Sequence, residues 1–194
     1  MHKVHENRST KRTKKLMNDY FIYLLEQKSI DKITVKELTD GCNLNRGTFY
    51  LYYQDVYDML EQLENQVMKE LKSTLDLHNH NPQPIAIIEP IIQYIYDHQK
   101  IFSILVGEHG DIQFIHKFCS ILKDYCFDVW KNIFLANSPI TEDYLKKYNY
   151  YFQYMITGII GLCKTWAHQN FNESPHEMSL LIESMIKEGY LCLK

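Results

Sequence analysis

The stretch ITVKELTDGCNLNRGTFYLYYQDVYDML, residues 33–60, decides how the chain folds. Thr34-Val35-Lys36-Glu37 has the form of a capping box, in which a Thr side chain accepts the amide three residues on and a Glu there reaches back. Val35, Leu38 and Cys42 then fall on one face at helical spacing. The helix is expected to stop at Cys42-Asn43, because Asn tolerates the left-handed conformation a C-terminal cap needs. Only Leu44 separates that stop from a new N-cap, Asn45. Two short helices joined this tightly cannot lie antiparallel. They cross steeply, as in a helix-turn-helix.

The second of these helices, residues 46–52, has the wrong surface for an ordinary amphipathic helix. Phe49 and Tyr53 are four apart and face inward. Asn45, Arg46, Gly47, Thr48, Tyr50 and Tyr52 are left outside. Gly47 carries no side chain, so a partner's backbone can come close there. Arg46 can donate a bidentate pair to a guanine edge, and Thr48 can bond a base or meet a thymine methyl. The hydroxyls of Tyr50 and Tyr52 suit phosphate oxygens, which position rather than specify. Tyr53 is better read as a packing aromatic.

At 194 residues the chain can bury a sizeable core in one or two domains. Only 7 Gly and 5 Pro interrupt it, and helix formers dominate. The net charge of −3 hides an asymmetry. Residues 1–53 carry ten Lys or Arg against six Asp or Glu, while residues 54–194 carry eleven against eighteen. A basic first quarter on an acidic remainder favours a polyanionic partner at one end. Residues 1–10 are expected as a loose basic arm, and Arg8, Lys11, Arg12, Lys14 and Lys15 cluster beside the DNA-facing unit, either as a solvated tail or touching phosphates or a minor groove.

The charged start, MHKVHENRSTKRTKK, and the interruptions at Asn18, Asp19 and Glu26 do not read as a secretion signal. The most apolar run, residues 150–163, is too short and too polar to span a membrane. A cytoplasmic protein without a membrane anchor is expected. The cysteines at 42, 119, 126, 163 and 192 include no CxxC pair and read as free thiols. Cys119 and Cys126 lie two helical turns apart, too far to bridge. His78 and His80 have no further ligand at a telling distance, so they read as loop histidines and no metal or cofactor is expected. No nucleophile–base spacing or phosphate loop appears, so an enzyme is not expected.

Around the decisive stretch, a first helix at 10–27 offers Leu16, Tyr20 and Leu24, with Met17, Phe21 and Leu25, as a wide apolar face. A connector helix follows at 56–77, with Leu60, Leu63, Val67, Leu71 and Leu75 as its stripe. Beyond a break at 77–84, five more helices are expected. The first, 85–98, has Pro90 either as a kink or as the true first turn. A short one covers 99–106 and ends at Gly107 and Gly110. The third, 111–136, is apolar on two faces, with Phe114, Phe118, Ile121 and Tyr125 on one, and Ile115, Cys119, Leu122, Val129 and Ile133 on the other. It is expected to be buried all round. Ser138-Pro139 ends it, and Thr141 caps a fourth helix reaching His168. Ser174-Pro175-His176-Glu177 is a second capping box and opens the fifth. Met178, Leu181, Ile182, Met185 and Ile186 form its stripe.

The fold class is therefore all-α, with about nine helices. Residues 1–53 form a three-helix, helix-turn-helix DNA-binding domain, and residues 54–194 a helical bundle. Gly158 and Gly161 let another helix approach closely, so they and the final helix, at Leu181 and Met185, are the expected homodimer interface. The alternative is that both helices are internal core.

Residues 33–53, ITVKELTDGCNLNRGTFYLYY, resemble the DNA-binding signature of the TetR family of bacterial regulators, including Thr-Phe-Tyr at 48–50. The resemblance implies a homodimer on a palindromic double-stranded DNA operator, most often as a repressor released by a small-molecule effector. Carried over by position, its DNA contacts fall on Thr34, Asn45, Arg46, Gly47, Thr48, Tyr50 and Tyr52. Family members often carry Lys at the positions of Gln54 and Val56, and both are missing here. Asp55, with Asp58, still caps the next helix, leaving backbone amides free for a phosphate. The resemblance also implies an effector site. Tyr94, Phe102, Phe114, Phe118, Tyr125, Tyr151, Phe152, Met155 and Trp166 are the candidate lining, against the plainer reading that they are core. Residues 88–118 are similar to a Firmicutes subgroup of the family that includes regulators of dihydroxyacetone kinase genes. An alternative function remains: a co-regulator controlled by a protein partner, with weak DNA binding of its own.

Overall fold

The structure, a computed structural model, describes residues 8–78, 84–107, 112–135 and 141–191. Expectations for residues 1–7, His80, Gly110, Ser138, Pro139 and Cys192, and for the side chains of His78, Val129 and Ile133, lie outside the described residues. Among the described residues there are nine α-helices, one 3-10 turn and no strand. The chain divides into two compact units, Met1–Val67 and Met68–Lys194.

The first unit holds α1 (Arg8–Gln27), the 3-10 turn Ile30–Lys32, α2 (Val35–Gly41), α3 (Arg46–Tyr50) and the first turns of α4 (Val56–His78). From α1, Met17, Phe21 and Leu24 are buried, at spacings of four and three. Leu16 does not join them. It is 46% exposed, because one residue along a helix turns a side chain through about 100°. Its carbonyl instead accepts the Cys42 thiol at 3.6 Å, tying α1 to the end of α2. Ile33, Leu38, Phe49 and Met59 complete this core. Phe49 has no exposed surface, and its burial contributes about 1.5–3 kcal/mol.

The second unit contains α5 (Pro84–Asp97), α6 (Gln99–Val106), α7 (Ile112–Leu135), α8 (Glu142–His168) and α9 (Pro175–Leu191), with the later turns of α4. Pro84 opens α5, where a missing N–H costs nothing. Pro90 lies inside that helix and is not its first turn. Thr141 caps α8 through the Tyr144 amide at 3.2 Å. The box at α9 closes both ways. Ser174 Oγ accepts the Glu177 amide at 3.3 Å, and Glu177 Oε2 accepts the Ser174 amide at 2.8 Å.

Two expectations for this unit change. The α7 helix is not buried all round among its described side chains. Phe114, Phe118, Ile121, Leu122 and Cys126 are buried, but Gln113, His116, Ser120, Lys123 and Asp124 are exposed and Ile115 and Cys119 are half-buried. Polar residues interleave its second face at helical spacing, so that face meets water. The α9 stripe also splits. Met178, Ile182 and Ile186 are buried, whereas Leu181 is 41% and Met185 49% exposed. Residues at i, i+4 and i+8 suffice for the packing of α9 on α5, and the i+3 and i+7 positions are left on the flank.

Between α8 and α9 the chain turns through left-handed backbone at Asn170 (φ 55°) and Phe171 (φ 53°). For a Phe this conformation costs on the order of 1–3 kcal/mol. Burial of the ring offsets it. The Phe171 ring meets Trp166 edge-on at 4.8 Å between centroids and Tyr96 at 6.2 Å, and the Trp166 indole N–H donates to the Glu173 carbonyl at 3.1 Å.

Candidate nucleic-acid interface

The local chemistry of residues 33–60 sets up one exposed rod. Thr34 accepts the Glu37 amide at 3.2 Å and starts α2. Glu37 does not reach back to complete the box. Its carboxylate takes Lys28 Nζ at 2.7 Å instead, a partner brought in by the preceding turn. The α2 helix ends at Gly41, Asn43 follows in left-handed backbone (φ 52°), and the Leu44 amide returns to the Thr39 carbonyl at 2.8 Å. Asn45 then caps α3, its Oδ1 accepting the Gly47 amide at 2.9 Å.

The rod is shorter than the sequence pattern suggests. α3 ends at Tyr50, and residues 51 and 52 form the turn that follows. Asn45, Arg46, Gly47 and Tyr50 are exposed, Thr48 and Tyr52 are half-buried, and Thr34 is exposed at the start of α2. A Cβ at Gly47 would meet only Asn45 Oδ1, at 3.6 Å. The fold therefore does not require glycine there. Phe49 anchors the rod from below, with Tyr53 beside it at 5.4 Å. Tyr53 is buried, and its hydroxyl donates to Asn18 Oδ1 on α1 at 3.1 Å.

Three features escaped the sequence reading. Leu51 is 75% exposed at the end of the rod. Lys14 of α1 stands over the Tyr52 ring, 5.4 Å from its centroid. The start of α4 does not keep free amides at Tyr57 and Asp58. Asp55 Oδ1 accepts both, each at 2.8 Å, and Asp58 Oδ2 accepts the Gln54 amide at 2.7 Å. The Asp-x-x-Asp spacing was a signal for this, because a side-chain cap consumes the amides it satisfies. Gln62 Nε2 donates both to Asp58 and to the Tyr52 carbonyl, at 3.1 and 3.3 Å, so α4 also holds the end of the rod.

The family model for a TetR transcriptional regulator C-terminal region matches residues 81–188, more than half of the chain. The chain belongs to the TetR family. This TetR-family regulator is 22% identical over 180 residues to an uncharacterized HTH-type transcriptional regulator, YxbF of Bacillus subtilis strain 168. That alignment covers 89% of this chain but 44% of YxbF, so the chain spans less than half the length of that relative. Among solved structures, a TetR transcriptional regulator from Streptococcus agalactiae 2603V aligns with TM-score 0.67 at 21% identity, over 92% of this chain and 96% of that one. The dihydroxyacetone kinase operon activator DhaS aligns with TM-score 0.62 at 15% identity, over 93% and 97%. The fatty acid degradation regulator FadR of Bacillus halodurans gives 0.62 at 11%, over 93% and 94%. All three share the all-α fold.

In the second unit of this TetR-family chain, the aromatics nominated for an effector site are buried, except Tyr125, which is half-buried. Packing separates them into groups. Phe118 stands edge-on to Phe102 at 6.0 Å and stacks with Phe114 at 6.1 Å between centroids. Phe152 joins Tyr148 and Phe127. Trp166 belongs with Tyr96 and Phe171. The Tyr151 hydroxyl donates to the Ile186 carbonyl, and that of Tyr125 to Asp76. The Tyr94 hydroxyl donates to Glu70 Oε2 at 3.1 Å. Burial, then the Glu70 carboxylate, push the Tyr94 phenol above its ordinary value. Met155 is buried.

On α8, a Cβ at Gly158 or at Gly161 would meet nothing within 4 Å. Tyr150 and Tyr154, on the same side of the helix, are 68% and 76% exposed. Cys42, Cys119, Cys126 and Cys163 are free thiols. Burial pushes Cys126 and Cys163 up to about 12, which leaves them inert as nucleophiles. Among the described residues no group of His, Cys, Asp and Glu could hold a metal, and no helix is long and apolar enough to cross a membrane.

Proposed function

We propose that this TetR-family protein is a homodimeric repressor that reads a palindromic operator with α3 and leaves it when an effector binds the C-terminal unit. The carrying observation is the rod itself, with Arg46, Gly47 and Tyr50 exposed on a segment pinned from beneath by Phe49. In this reading Arg46 and Thr48 address bases, while Thr34, Asn45, Tyr50 and Tyr52 grip phosphates. The open side of α8 at Gly158 and Gly161, with Leu181 and Met185 of α9, supplies the two-fold interface. It presents the twin rods about 34 Å apart. The effector site lies among the aromatics of the C-terminal unit, around Phe102, Phe114 and Phe118. Its occupation shifts the population toward dimers whose rods no longer match two half-sites.

The test is affinity for the upstream region of its own gene, measured against salt. Tight, sequence-dependent binding by a dimer supports the reading, and binding that is weak and blind to sequence sinks it. One observation favours a second reading, a partner-controlled co-regulator. The start of α4 offers carboxylates at Asp55 and Asp58 where a phosphate would want donors.

A further inference from the structure

We infer that this protein takes hold of the DNA backbone with the basic first half of α1, through Lys14 and the stripe Arg8, Lys11, Arg12 and Lys15, and not with the start of α4. The inference rests on the operator-binding reading above and names the phosphate-binding surface within it.

The stripe residues lie at i, i+3, i+4 and i+7, within about 100° of the helix circumference. All four are exposed. The first acidic residue of α1 is Asp19, so the initial two turns form an uninterrupted cationic surface. Its place relative to the rod is fixed by two contacts on successive turns of α1. Lys14 stands over the Tyr52 ring, and Asn18 accepts the Tyr53 hydroxyl. The basic end of α1 therefore borders the end of the rod on which Tyr50 and Tyr52 offer hydroxyls.

The first turn of α4 cannot do the same work. A phosphate arriving at the first turn of α4 finds the Tyr57 and Asp58 amides already bonded to Asp55. It also meets the negative charges of Asp55 and Asp58. Like charges there oppose the helix dipole that would otherwise attract an anion. Gln54 adds no charge, and Val56, being 7% exposed, faces the core. Charge complementarity thus assigns the sugar-phosphate backbone to α1.

Each phosphate contact releases counterions, so the slope of log affinity against log salt counts the contacts, at about 0.9 per contact on B-form DNA. The experiment compares the full-length protein with a Lys11→Gln/Arg12→Gln/Lys14→Gln/Lys15→Gln variant and an Asp55→Asn/Asp58→Asn variant. Two duplexes are used: the upstream region of its own gene and a scrambled sequence of equal length. Neutralising α1 is expected to flatten the slope by about two or more on both duplexes, with the preference between them retained. The Asp variant is expected to leave the slope unchanged, because Asn keeps a cap and that turn is away from phosphates. An unchanged slope for the α1 variant, with its melting temperature preserved, overturns the inference while leaving operator binding intact. Equal affinity of the unaltered protein for both duplexes, with a slope that still flattens in the α1 variant, keeps the inference and removes the operator reading. Binding to neither duplex overturns both.

Discussion

The ring of Tyr20 covers Gly41. A Cβ at position 41 would stand 2.1 Å from Cε1 and Cζ of that ring, closer than any real contact. The end of α2 and the middle of α1 therefore meet through the far end of one half-buried ring, which must shift before any Cβ can stand there. Gly41→Ala is expected to displace the Tyr20 ring and to destabilise the first unit by about 0.5–1 kcal/mol, the lost ring packing being partly offset by the helix propensity of alanine. Chemical denaturation followed by helical circular dichroism measures it, and a loss below about 0.5 kcal/mol would show that the ring swings aside freely.

Gly47 behaves in the opposite way. Its Cβ position is open, so Gly47→Ala is expected to hold or raise stability, by up to about 1 kcal/mol of helix propensity. Under the proposed operator reading it is expected to weaken DNA binding, because the methyl enters the space that this reading gives to the duplex. Retained affinity, read by fluorescence anisotropy, would remove Gly47 from the interface.

Arg46→Ala is expected to cost about 1–3 kcal/mol and to relax base preference at one operator position. The readout is a panel of operators, each altered at a single base pair. Equal weakening across the panel would reassign Arg46 to a phosphate.

Gly158→Leu is expected to abolish the dimer without unfolding the monomer, since nothing lies within 4 Å of the added Cβ. Sedimentation gives the mass and circular dichroism the fold. A dimer of unchanged mass would place that side of α8 elsewhere.

Glu177 accepts the Ser174 hydroxyl and amide, which lower its carboxyl below the ordinary glutamate value. A group depressed in the folded state contributes stability above its unfolded value, and that contribution is lost as pH falls through the folded one. Acidification through and below the ordinary glutamate range should therefore fray the first turn of α9. Ser174→Ala should raise the Glu177 midpoint in an NMR titration; an unmoved midpoint rules out the Ser174 hydroxyl as its cause.

The parts of this fold legible from sequence are those governed by neighbours in the chain. Caps at Thr34, Asn45, Thr141 and Ser174 depend on residues two or three away, and the left-handed stop at Asn43 on a single residue. What was misjudged depends on groups brought together by tertiary packing. Glu37 is diverted by Lys28. Leu16 is turned out because Met17, Phe21 and Leu24 already fill the buried face. On α9, by contrast, Met178, Ile182 and Ile186 take the buried face and leave exposed Leu181 and Met185, the two residues expected at a homodimer interface. In the candidate interface, the exposure of Asn45, Arg46, Gly47 and Tyr50 follows from the apolar pattern, whereas Thr48 and Tyr52 are half-buried. The fate of the α4 amides depends on which side chain reaches them first, and Asp55 does. Lys14 over Tyr52 joins segments that no periodicity within one helix relates.

The left-handed turn at Phe171 bears on how the C-terminal unit can move. Its ring sits against Tyr96 of α5 and Trp166 of α8, so parting those helices would unseat the aromatic that offsets the backbone strain. A rearrangement that parted them would carry that cost of about 1–3 kcal/mol. One buried ring thus acts as the wedge between the end of α8 and α5, and any motion that withdraws it leaves the left-handed backbone at Phe171 uncompensated.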